Sequence, residues 1–195
     1  MNKKIGVLLP FKDHFTSSKA GSASIWIKDF NKKSSYKKNI YVCGNTDNLK
    51  DLIEKKNYLN IKFSDSTFQS KNKLYIDEFI KLNSKHKFKL IEVHNRPSYV
   101  HRLIEKKINS KLILIFHNNP LNLGGSKTVE ERNILIDKCE KLIFVSNWVK
   151  EKFFKDLSRR DNVDCVVIYP SIQTLKNFPV KKNIISFVGK LNRSK

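Results

Sequence analysis

The polar residues able to do chemistry recur at intervals, each group directly behind a short apolar run. Lys12, Asp13 and His14 follow residues 5–9. His94, Asn95 and Arg96 follow residues 89–93. His117, Asn118, Asn119 and Pro120 follow residues 112–116, and Ser146 with Asn147 follows residues 142–145. A further loop, residues 17–24, contains Gly21. Histidine, asparagine, serine and arginine together supply donors and acceptors, and a hydroxyl-rich ligand such as a sugar needs several of these converging in one cleft. Each group also has a purely structural reading. A lone His94 or His117 is satisfied by backbone, Asn118-Asn119-Pro120 makes a turn, and Ser146 caps a following helix. Their joint placement at successive loops favours a binding rim.

The elements that must position these groups are legible from hydrophobic patterning. Residues 5–9, 39–43, 89–93, 112–116, 142–145 and 165–169 read as strands, with a weaker one at 61–63. Several are apolar throughout, the mark of a parallel sheet buried on both faces. Helices are expected at 22–33, 71–84, 98–107, 128–139 and 147–157. In the second of these, Leu74, Tyr75, Phe79 and Leu82 make an apolar stripe beside lysines. Thr128 with Glu131 forms a capping box, and Pro97 suits the first turn of a helix. Strands alternating with helices through right-handed crossovers specify an α/β, Rossmann-like, doubly wound parallel sheet, whose ligands lie beyond the carboxyl ends of the strands. Residues 1–170 are expected to form this domain and 171–182 a linker. Residues 183–195, opening with a fresh strand at 183–188, read as the truncated start of a second Rossmann-like domain, so the chain is expected to be a fragment.

Other chemistries find no support. There is no GxGxxG, no GxxxxGK[ST], no HExxH and no GxSxG, so a dinucleotide fingerprint, a P-loop, a zinc-protease site and a hydrolase elbow are all missing. His94 and His101 straddle a strand-to-helix turn, a poor geometry for a shared ion. Cys43, Cys139 and Cys165 show no paired spacing and read as buried hydrophobes. No metal and no cofactor is therefore expected.

At 195 residues the chain suffices for one sizeable core, and its apolar runs fall well short of a membrane span. A basic start precedes only five apolar residues, too few for a secretory signal, so the chain is read as cytoplasmic. The formal net charge is +21, from 39 Lys plus Arg against 18 Asp plus Glu. The excess is mostly lysine scattered along the chain with much Asn, Ile and Phe, as AT-rich coding also produces. Such a surface attracts phosphates of any origin, but no RNA-binding signature accompanies it.

Several segments together resemble the amino-terminal half of the GT-B glycosyltransferases, specifically glycosyltransferase family 4, which includes lipopolysaccharide and capsule enzymes. The segments are Ile5-Gly6-Val7-Leu8-Leu9-Pro10, Ile91-Glu92-Val93-His94-Asn95-Arg96-Pro97, Leu114-Ile115-Phe116-His117-Asn118-Asn119-Pro120, Leu142-Ile143-Phe144-Val145-Ser146-Asn147-Trp148 and Ile185-Ser186-Phe187-Val188-Gly189-Lys190-Leu191. The resemblance implies a retaining transfer from a nucleotide-sugar donor to a saccharide or lipid-linked acceptor in surface-polysaccharide synthesis. This half would hold the acceptor and be inactive alone. It implies that His117 touches the donor sugar near the reacting centre. Gly21, Ser146, Lys190 and Lys195 would serve the donor, and His94, Asn95, Arg96, Arg102 and Asn118 the acceptor. Lys190 stands where the family has Arg, which keeps the charge and loses the fork. One glycine stands at 21 where two are common. Ile25, Trp26, Ile27 and Phe30 beside Lys28, Lys32 and Lys33 suit packing on the sheet, and also a peripheral contact with anionic membrane. A nucleotide-sugar epimerase of the same fold and a basic nucleic-acid-binding module remain as alternatives.

Overall fold

A computed structural model describes residues 4–64, 68–158 and 163–170. The expected linker, the strand at 183–188, Lys190 and Lys195 lie outside the described residues.

Among the described residues, seven strands form one sheet in the order β3-β2-β1-β4-β5-β6-β7. They are β1 (Ile5–Leu8), β2 (Ile40–Gly44), β3 (Tyr58–Asn60), β4 (Leu90–His94), β5 (Lys111–Phe116), β6 (Lys141–Phe144) and β7 (Cys165–Val167). Every neighbouring pair is parallel. The helices are α1 (Ser22–Lys33), α2 (Lys71–His86), α3 (Pro97–Glu105), α4 (Val129–Lys138) and α5 (Asn147–Phe154). The chain order and the reversal of strand order at β1 are those of a doubly wound, Rossmann-like α/β domain.

Local signals set the helix ends. Pro97 occupies the first turn of α3. The Thr128 hydroxyl accepts from the Glu131 amide at 3.2 Å while the Glu131 carboxylate accepts from the Thr128 amide at 3.2 Å, closing the capping box of α4. The weak third strand forms at Tyr58–Asn60 rather than at 61–63. There Val42, Cys43 and Gly44 pair with 58–60, and the Tyr58 hydroxyl bonds Thr46 at 2.7 Å, which fixes the register three residues earlier.

The two faces of the sheet are packed differently. Register aligns Leu8 with Val93 on one face and Val7 with Glu92 on the other, because side chains alternate along each strand. The first face buries Leu8, Cys43, Ile91, Val93, Leu114, Phe116 and Phe144 under residues of α2, α3, α4 and α5. Phe116, Phe144, Phe153 and Phe154 form an aromatic cluster there, with Phe144 and Phe153 centroids 5.3 Å apart. In α2, Tyr75, Ile76 and Phe79 are buried, and the Tyr75 hydroxyl donates to the Leu9 carbonyl at 2.9 Å. The second face holds a smaller core, where Val7, Leu9, Ile40 and Val42 meet Ala23 and Ile27 of α1. The cysteines are free thiols; Cys43 is fully buried, and burial pushes the Cys139 thiol up to about 12.

Candidate functional site

β4 alternates Ile91-Glu92-Val93-His94. Ile91 and Val93 enter the large core, so Glu92 and His94 must project on the α1 side. β5 ends at Phe116, again in the large core, and the next residue, His117, therefore also faces α1. Strand alternation alone stacks three ionisable groups on one face at the carboxyl end of neighbouring strands.

They form a chain. The Glu92 carboxylate lies 2.6 Å from His94 Nε2, and His94 Nδ1 lies 2.9 Å from His117 Nε2. His94 is completely buried, and the two imidazoles stack with centroids 5.2 Å apart. Trp26 of α1 packs edge-on against both rings, 5.1 Å from His117 and 6.4 Å from His94. Burial, with the neighbouring His94 as a second cause, pushes the His117 imidazole down to about 3. At neutral pH His117 is therefore an uncharged hydrogen-bonding group.

The backbone is locked around this chain. Asn95 has φ 53°, a left-handed conformation that asparagine tolerates better than most residues. This turn lets its side-chain oxygen accept from the amides of His117 at 3.3 Å and Asn118 at 3.2 Å, tying the loop after β4 to the loop after β5. Arg96 donates to the Asn95 carbonyl at 3.0 Å. The Asn118 side chain is exposed at the rim.

His117 lines a cleft of about 830 Å³. One wall is α1 and the turn behind it, with Ile25, Trp26, Phe30 and Tyr36; Ile168 and Tyr169 stand opposite. The wall surface is mainly apolar and aromatic, and Ser22, Asp29, Lys33, Ser34 and Ser35 line the cleft beside the imidazole.

Several expected site residues take other positions. His94, expected at the acceptor, has both ring nitrogens engaged and no exposed surface, so it supports His117 from beneath. Arg102 lies in the seam between α2 and α3, donating to Asp77 at 2.8 and 3.1 Å and to Glu105 at 2.7 and 2.8 Å, and its charge is spent there. Ser146 caps α5, its hydroxyl accepting from the Val149 amide at 3.2 Å. The Gly21 amide donates to the Asp13 carboxylate at 3.1 Å, and Ser24 bonds the same oxygen at 2.6 Å. Asp13 thus sits at the α1 terminus, where the resemblance places donor phosphates, and a Cβ at Gly21 would lie 2.6 Å from its carboxyl oxygens. Trp26 is turned onto the histidines instead of outward, leaving Ile25 and Phe30 as the half-exposed apolar residues of α1. Glu92 and Trp26 were missed as site residues. The signal for Glu92 is its phase: an acid two residues before His94 in a strand shares its face.

Among the described residues, no group of three or more His, Cys, Asp or Glu converges as a metal site, since Glu92, His94 and His117 run in line. Among the same residues, no helix is long and apolar enough to cross a membrane.

No protein-family model matches the sequence, and no curated protein matches it. Solved structures do match in shape. A glycosyltransferase from Rickettsia africae superposes with TM-score 0.60 at 18% identity, over 88% of this chain and 44% of its own. HepE from Anabaena, solved in complex with UDP and glucose, gives 0.58 at 19% identity, over 87% and 45%. Sucrose-phosphate synthase from Thermosynechococcus elongatus gives 0.55 at 13%, over 86% and 48%. What is shared is the fold. The chain spans less than half the length of these solved chains.

Proposed function

We propose that this chain is the acceptor-side half of a glycosyltransferase. It would take part in moving a sugar from a nucleotide-sugar donor to a saccharide or lipid-linked acceptor, with retention, in surface-polysaccharide or lipopolysaccharide synthesis at the cytoplasmic face of a membrane. The observation that carries this reading is His117. It is a neutral imidazole held on the fully buried His94 and the partly exposed Glu92, at the carboxyl-end rim of a parallel sheet, lining a mainly apolar cleft. The fold supports it, being shared with a protein named as a glycosyltransferase and with HepE, which holds UDP and glucose.

In this reading each group has a task. His117 orients a sugar hydroxyl beside the reacting carbon, and preorganisation of that kind lowers the barrier because the geometry is set before the substrate arrives. Asn95 holds the loop that carries His117, and Asn118 and Arg96 meet the ligand at the rim. Negative charge growing on the leaving diphosphate needs cations, which the resemblance assigns to Lys190 and Lys195. The apolar walls around Phe30, Tyr36 and Tyr169 suit the lipid portion of a lipid-linked acceptor.

The test is transfer of labelled sugar from UDP-glucose and other nucleotide sugars by the product of the reading frame that contains this chain, with glycolipid extract as acceptor. His117→Ala is expected to lower the rate about 100-fold or more with the fold intact. Transfer at the wild-type rate would remove His117 from the mechanism.

A further inference from the structure

We propose that Glu92 is a positioning residue: acting through His94, it fixes the tautomer of His117 so that Nδ1 carries no proton, and the cleft at that point accepts a hydrogen bond from a ligand hydroxyl.

A carboxylate only accepts hydrogen bonds. At 2.6 Å from Glu92, His94 Nε2 must therefore carry the proton. With Nε2 as the one protonated nitrogen of His94, its Nδ1 is an acceptor. The atom facing it at 2.9 Å, His117 Nε2, must then be the donor. That uses the only proton of a neutral His117 and leaves Nδ1 with a lone pair. Among the described residues Nδ1 has no hydrogen-bond partner, and the side chain lines the cleft. Full burial of His94 and the Trp26 edge over both rings keep water from offering the chain an alternative donor. Burial also keeps His117 uncharged, so its ring carries a single proton.

The consequence is selective. A phosphate or carboxylate oxygen meets a lone pair at Nδ1 and is disfavoured, despite a chain of net charge +21. A hydroxyl is favoured. The choice of a sugar hydroxyl as that ligand rests on the glycosyltransferase reading, whereas the tautomer does not.

The experiment is a two-bond proton–nitrogen correlation spectrum of the ligand-free, histidine-labelled 195-residue chain at pH 7. The expected result is a His117 ring with Nε2 protonated and Nδ1 bare. In Glu92→Gln, whose amide donates as readily as it accepts, the Nδ1 resonance is expected to shift toward the protonated position. Glu92→Leu, a residue suited to a strand, carries the same expectation should the glutamine variant not fold. A wild-type His117 protonated at Nδ1, or an unchanged pattern in the folded variants, would overturn the proposal. The expected tautomer in a protein that transfers no sugar would leave the positioning role standing and remove the glycosyltransferase reading; active transfer with the reverse tautomer would do the opposite.

Discussion

On one side of the sheet, Leu8, Ile91, Val93, Leu114, Phe116 and Phe144 disappear beneath residues of four helices. On the other, Val7 and Leu9 sit under α1, and the neighbouring strand turns Glu92 and His94 to that side. The first face is apolar, and its aromatic rings interlock, so it supplies most of the burial that holds the domain together. The second is covered more thinly, and it carries the cleft and the polar chain of Glu92, His94 and His117. Stability and chemistry are thus divided between two faces of the same strands, one residue out of phase.

The division predicts unequal responses. Phe153→Ala removes a fully buried ring that touches Phe116, Phe144 and Phe154. It should cost about 3–5 kcal/mol in equilibrium denaturation. Phe30→Ser, at a position 51% exposed on the cleft wall, should change stability by less than about 0.5 kcal/mol. Equal costs for the two would erase the distinction.

Acid should act on the thinner face. His117 is pushed down to about 3 in the folded chain from an ordinary 6.5, so the unfolded chain binds the proton more readily. The contribution is fully present above about pH 6.5 and is lost as pH falls toward 3. Its size is at most about 5 kcal/mol across that window. His117→Asn should flatten this part of the stability profile. His86 is lowered too, by burial and then by Lys4 and Lys85, but it is common to both proteins and cancels in the difference.

The smallest effect belongs to Arg102. Asp77 is partly buried in the seam between α2 and α3 and Glu105 is exposed, so Arg102→Ala should give a slight loss of melting temperature that shrinks in high salt. Ligand binding in the cleft should not change. A selective loss of binding would return Arg102 to the site.

Most of the architecture was legible because patterning and caps agree. The bounds of α1 at 22–33, the Thr128–Glu131 capping box and the parallel strands follow from local chemistry that tertiary packing then reinforces. β3 was displaced because its register is set by Tyr58 reaching Thr46, a contact across the fold that periodicity does not contain. Of the site, His94 and His117 were visible as rim residues, yet their stacking was not, since it depends on strands β4 and β5 lying side by side. Glu92 was hidden inside a run read as apolar. The partners of Arg102 and Gly21 were not legible for a common reason: the acids that engage them, Asp77 and Asp13, stand 25 and 8 residues away in sequence.

His117 is an uncharged imidazole held at the cleft by the groups beneath it. Its ring titration, followed by histidine-resolved NMR from pH 8 to pH 4, tests that most directly. The expected curve shows His117 unprotonated throughout the range. A midpoint near 6.5, as for a histidine open to water, would contradict it.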